Sequence, residues 1–118
     1  MNEEMCIKYN ITETEAELIC SYCEMRGLDE KEIELILSKL ALKINLELTG
    51  KSHDLEKYGI SVYDESGKER GLYKVFVNIL ETMKSTCWIK RGSLVAALLG
   101  LRAGKSFYPL VVREEEMY

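Results

Sequence analysis

The chain has little of what most catalytic and metal sites are built from. It holds one histidine (His53), one proline (Pro109) and one tryptophan (Trp88) in 118 residues. A single histidine excludes the paired-histidine zinc patterns. One proline and eight glycines leave no Pro/Gly-rich linker and no low-complexity segment. Neither charge dominates: 16 basic and 20 acidic residues give −4. General nucleic-acid binding needs a basic surface to displace counterions, and the notable basic cluster, Lys90-Arg91, is two residues long. No stretch approaches the roughly 18 consecutive apolar residues of a membrane span. The start, Met1-Asn2-Glu3-Glu4, is acidic and unlike a secretion signal, so the expected setting is the cytoplasm, with no membrane partner.

What is present describes a globular chain. Hydrophobic residues make up 47% and charged residues 31%, a balance that favours a packed core over disorder. The length suits one domain, expected over 1–118, with a small core. Four cysteines, Cys6, Cys20, Cys23 and Cys87, read as reduced thiols that pack as small hydrophobes, because a chain with a core of its own does not need staples.

Taken in order, the chain alternates helix signals with turns. Residues 1–11 read as a lead-in, with a short extended piece at Cys6, Ile7 and Tyr9. Thr12-x-x-Glu15 is a capping box, and a first helix is expected over 13–26, with Ala16, Ile19, Cys20 and Cys23 inward. Asp29-x-x-Glu32 is a second capping pair and opens a helix to about Thr49. Ile33, Ile36, Leu37, Leu40, Ala41, Ile44 and Leu48 share its inner face. Leu35, Leu42 and Leu46 widen the apolar surface beyond one stripe, so this helix either is buried on two sides or lends one side to a partner. Ser52 could cap a short helix ending at Tyr58-Gly59. Ile60 and Val62 then alternate with Ser61 and Tyr63, and Asp64-Glu65-Ser66-Gly67 is turn chemistry, with Gly67 supplying positive φ. A β-hairpin is expected near 60–70, with Lys68–Arg70 returning. A third long helix follows from Leu72, with Leu72, Val75, Phe76, Ile79, Leu80 and Met83 in phase. Cys87-Trp88-Ile89 reads as a connector. Ser93 reads as the N-cap of a fourth long helix, with Leu94, Val95, Leu98, Leu99 and Leu101 apolar and Gly104 as its end. Ser106–Val112 reads as a short helix or extended tail, and Arg113–Tyr118 as a charged end. The expected fold class is mainly α: a small domain of about four helices with one short β-hairpin.

Chemistry-bearing patterns are few. Cys20-x-x-Cys23 has the spacing of half a zinc site or of a redox pair. It lies inside a helix, on the buried face, and no second pair exists to complete a zinc set, so core thiols are the expected role. His53, beside Asp54, reads as a surface residue at a helix start. Gly104-Lys105-Ser106 ends like a phosphate loop but lacks the upstream glycine and follows a helix, not a strand. No metal, no cofactor and no catalytic residue is expected.

Several segments together resemble the tail tape-measure proteins of tailed bacteriophages, over about residues 11–111. The more specific parts are Gly59-Ile60-x-Val62-x-Asp64-x-x-Gly67-Lys68-x-Arg70 and Leu98-x-Gly100-x-Arg102-x-Gly104. Arg26-Gly27-Leu28 and the Leu37-Ser38-Lys39-Leu40 helix fall in the matching order. The resemblance implies a non-enzymatic phage or prophage protein acting in tail assembly or structure, in the host cytoplasm or the virion tail. It carries no catalytic residues. A chain of 118 residues cannot measure a tail: as one continuous helix it would reach only about 180 Å. It is expected to be a fragment, a split-gene product or a small protein that has kept one such domain, with Met1 and the acidic end fitting a small complete protein.

The expected partner is therefore a protein: another copy of the chain, a phage tail protein or a host protein. The expected interaction face comprises Leu35, Leu42 and Leu46 of the second helix and Leu94, Leu98 and Leu101 of the fourth. Asp64 and Gly67 are expected to build the turn. A stand-alone binder or inhibitor of a host defence complex is the alternative function. A small zinc or thiol-redox protein using Cys20 and Cys23 is the second alternative.

Overall fold

The computed structural model describes residues 2–112. Six helical segments follow one another: α1 (Asn2–Tyr9), α2 (Glu13–Met25), α3 (Glu30–Leu48), α4 (Asp54–Lys57), α5 (Leu72–Lys84) and α6 (Trp88–Val111). The charged end at 113–118 lies outside the described residues.

The two capping boxes form. Thr12 Oγ1 accepts from the Glu15 N–H at 3.1 Å, and Glu15 Oε1 accepts from the Thr12 N–H at 2.9 Å. Asp29 and Glu32 exchange the same two bonds at 2.9 and 3.2 Å. Each box satisfies two N–H groups that a helix start leaves without intrahelical partners. The inward residues of α2, α3 and α5 follow helical spacing, and all six buried residues of α5, from Leu72 to Met83, lie on one face.

Three expectations at the level of elements are overturned. Residues 2–9 are helical, not an extended lead-in: Met5 and Tyr9 are buried, and Tyr9 Oη donates to Glu34 of α3 at 2.6 Å. Nothing local announced α1, which is short and stands because α2 and α3 cover one side of it. The β-hairpin near 60–70 does not exist either. Among the described residues there is no strand, only an isolated antiparallel bridge between Tyr63 and Glu69. The turn itself is tight, with the Gly67 N–H bonded to Asp64 O at 3.0 Å and Gly67 at φ 85°. Asp64 Oδ1 also accepts from Ser66 N, Ser66 Oγ and Lys68 N at 2.6–3.0 Å. These bonds hold its carboxyl below the usual carboxylate range, the Ser66 hydroxyl contributing most. Ile60 and Val62 are buried, but the return arm Lys68-Glu69-Arg70 has no apolar face to dock, so the pairing ends after one bridge.

The third correction is at α6. It begins at Trp88, where a connector was expected, and it is two helices joined by a reversal at Gly100. Gly100 has φ 84° and ψ 168°, a conformation essentially reserved for glycine. Beyond it the chain folds back on itself. A Cβ placed on Gly104 would lie 3.1 Å from Ala96 Cα, and Gly92 faces the Tyr108 ring. Along a straight helix residues eight apart are about 12 Å distant, so 88–99 and 101–111 form an antiparallel αα-hairpin. By length and composition alone Trp88–Val111 could cross a membrane, contrary to the reading that no stretch approaches that length. Folded back, each arm reaches only about 18 Å, short of the roughly 30 Å hydrocarbon layer.

This hairpin is the centre of the fold, packing on α3 along one side and α5 along the other. Phe107 and Phe76 meet edge to face, with centroids 6.0 Å apart. The end of the hairpin is fastened by side chains. Four consecutive carbonyls, Pro109 to Val112, accept in turn from Arg26 (3.4 Å), Tyr22 (2.7 Å), Arg91 (3.4 Å) and Arg26 again (2.9 Å). Arg91 is fully buried and also donates to Lys84 O and Thr86 O at the end of α5. Its positive charge thus sits between the carbonyl ends of two helices, where the helix dipoles favour a cation.

Candidate functional site

The two halves of α3 differ. In residues 30–40 four apolar side chains, Ile33, Ile36, Leu37 and Leu40, are buried. In residues 41–48 five apolar residues follow, Ala41, Leu42, Ile44, Leu46 and Leu48, and none of them is buried. Ala41, Ile44 and Leu48 keep one edge half-buried on the core. Leu42, 52% exposed, and Leu46 lie outside that packed set. Leu35, one heptad before Leu42, is half-buried against the core. Spacings of seven and four place Leu35, Leu42 and Leu46 along one side of the helix.

This end of α3 is braced from one direction only. Lys43 Nζ meets Asp54 Oδ2 of α4 at 2.8 Å, and this pair holds the Asp54 carboxyl below its usual range. Glu47 Oε1 accepts from the Leu55 N–H at 2.9 Å, and Leu55 itself is buried. Such bonds fix the direction of the helix end while leaving Leu42 exposed and Leu46 half-buried. The surface is therefore apolar and borne on a regular element, a form suited to contact with another apolar helix face.

The second expected patch is divided by the hairpin. Leu98 is buried in the core and cannot serve as a contact residue; the reversal at Gly100 turns it inward. Leu94 is half-buried, and Leu101 is 84% exposed just past the turn. Leu101 borders a shallow groove between the hairpin arms, which includes Ala96, Gly104 and Tyr108. Further exposed apolar residues were not expected from the sequence: Ile7 of α1, Leu18 and Met25 of α2, and Trp88 and Ile89 at the outset of α6. Asp64 and Gly67 stand exposed in their turn, away from the α3 surface in sequence and without an apolar neighbour in the turn.

The cysteine pair is part of the core. Cys20 and Cys23 are buried, and Cys20 Sγ lies 3.7 Å from Met5 Sδ. Burial pushes the Cys23 thiol up to about 12 and raises Cys20 as well. A thiol must ionise to ligate zinc or attack a disulfide, and both sites disfavour the thiolate. His53 stands at the N-cap of α4, exposed, with Nδ1 3.3 Å from Glu56. Lys8, Tyr9 and Glu34 form a further polar cluster. Burial, then the bond to Glu34, pushes the Tyr9 phenol up to about 12, while the bond from Lys8 lowers Glu34. These bonds tie α1 to α3 and are structural.

No family model, curated protein or solved structure matches this chain. The likeness to tape-measure proteins accordingly rests on the motifs alone, and the α3 surface has to be interpreted from its own geometry.

Proposed function

We propose that the chain is a helical protein-interaction module whose contact surface is the outer side of residues 41–48, centred on Leu42 and Leu46. The observation that carries this reading is the change within one helix: fully buried apolar side chains up to Leu40, and beyond it an exposed Leu42 with a half-buried Leu46 that is not packed on the core. Nothing about the helix requires those leucines for solubility or for the core, and an uncovered apolar helix side gains about 25 cal/mol for each Å² it buries. The partner proposed first is a second copy of the chain, bringing the same surface across a twofold axis. The motif likeness adds a setting, tail assembly, in which such self-association would operate. The alternative remains a stand-alone binder that uses the same surface on a host protein.

The test is the mass of the reduced full chain across a concentration series, by light scattering and native mass spectrometry, for the wild type and for Leu42→Glu/Leu46→Glu. Concentration-dependent oligomers that the double variant loses, with its circular dichroism unchanged, support self-association. A wild type that stays monomeric at high concentration ends that form of the proposal and leaves the heterologous binder.

A further inference from the structure

Next to the α3 surface lies a group of side chains that the interaction reading does not use. Glu47 is in the last turn of α3, His53 stands at the N-cap of α4, and Glu56 follows within α4. One potential ligand atom from each lies within 4.8 Å of the other two. We propose that Glu47, His53 and Glu56 form a binding site for a divalent transition metal of the zinc type, with one imidazole nitrogen and two carboxylate oxygens as ligands.

Four observations support it. First, the donor set is chemically suitable: zinc takes His nitrogen and Glu oxygen at about 2.0–2.1 Å. Two such ligands at tetrahedral angles stand about 3.3–3.4 Å apart, and His53 Nδ1 is 3.3 Å from Glu56 Oε2. In the metal-free chain the two groups are hydrogen-bonded to each other, at a separation that a shared ion could keep once it replaced the proton between them. Second, His53 occupies an N-cap position without making a side-chain capping bond, and its ring instead pairs with Glu56, itself one of the proposed ligands. Third, Glu47 is oriented in advance. The Leu55 N–H donates to its Oε1, and a carboxylate keeps further acceptor capacity after one such bond. That is the kind of supporting contact that positions metal ligands. Fourth, the three residues share one groove of about 530 Å³ with the segment 59–63. Three protein ligands leave a fourth position for water or for a group presented by a partner, as in open zinc sites.

The site would also have a structural consequence. Glu47 belongs to α3, and the other two ligands belong to α4 and its cap. A bound ion would add a third tie to the Lys43–Asp54 pair and the Glu47–Leu55 bond, and so brace the α3 end. This inference does not depend on self-association: the ion can bind a monomer.

The experiment uses the reduced full chain, first stripped with a chelator. Titration with zinc chloride, followed by calorimetry and native mass spectrometry, should show one ion per chain and a raised melting temperature, since an ion that binds only the folded state stabilises it. His53→Ala and Glu56→Gln should each weaken zinc binding roughly tenfold or more. Both side chains are exposed, 72% and 77%, so the metal-free variants should melt with the metal-free wild type. Cobalt in place of zinc should give visible d–d bands without a near-ultraviolet sulfur-to-metal band. Three results would each overturn the proposal: no saturable binding, unchanged affinity in His53→Ala, or a sulfur band that assigns the ion to the cysteines.

Discussion

Residues 30–40 and 41–48 belong to the same helix and are equally rich in leucine and isoleucine, yet one half is sealed and the other is open. In the sealed half Ile33, Ile36, Leu37 and Leu40 are buried in a core to which α3 contributes mainly through its packing on the α6 hairpin. The open half keeps Ala41, Ile44 and Leu48 half-buried on the core and is tied to α4 through Lys43–Asp54 and Glu47–Leu55, while Leu42 stays exposed. Hydrophobic composition thus states that a surface will be covered, but not by what. Covering depends on how far the neighbouring elements extend, which no short window of sequence states.

The comparison is tested most severely by paired truncations. Leu40 is fully buried, so Leu40→Ala should cost about 3 kcal/mol in urea denaturation. Leu42→Ala, two residues on, should change monomer stability by less than about 0.5 kcal/mol. Equal costs would mean that the open half is packed after all.

The next effect concerns the cover. A methyl group at Gly104 would meet Ala96 backbone at 3.1 Å, so Gly104→Ala should force the arms apart and cost about 2 kcal/mol. Gly92→Ala, which meets only the Tyr108 ring edge at 3.9 Å, should be neutral or stabilise by up to about 1 kcal/mol, because alanine is the better helix former. If the two variants melted together, the close crossing would be wrong.

A last effect reads the buried face of α2 through its proton affinity. Cys23 has a folded value of about 12 against 9.0 for a free thiol. The folded state therefore holds this proton more tightly than the unfolded chain. Its contribution is complete below pH 9 and is lost as pH rises toward 12. Across that window, wild-type stability should fall more steeply with pH than that of Cys23→Ala. Parallel curves would show that Cys23 is not shielded.

Much of the helical outline was legible because its causes are local. Thr12-x-x-Glu15 and Asp29-x-x-Glu32 close their bonds within four residues, and the α5 stripe from Leu72 to Met83 needs only the 3.6-residue period. Asp64-to-Gly67 turn chemistry was legible for the same reason. Strand pairing across that turn was not, since a sheet needs a second apolar edge to pack, and Lys68-Glu69-Arg70 has none. Lys90-Arg91 read only as a two-residue basic cluster, and Arg91 proves to be buried. Only the meeting of two helix ends creates the carbonyl cluster that takes its guanidinium out of water. Leu98 read as a contact residue and is core, because the reversal at Gly100 rotates its neighbourhood inward. Within the candidate surface, Leu42 was legible as excess apolar width, whereas the metal ligands were not. Glu47, His53 and Glu56 have no motif spacing, and the turn between α3 and α4 brings them together.

The amino-acid sequence by itself determined where most helices start, which residues of each face inward, and that one helix carries more leucine than a single stripe can use. Those properties follow from bonds and periodicities spanning a few residues. The tertiary structure alone decided which leucines are covered, that the last long apolar stretch folds into a hairpin, and that a histidine and two glutamates share a groove. Each of these depends on how close distant segments approach, and that distance is set by packing the whole core at once.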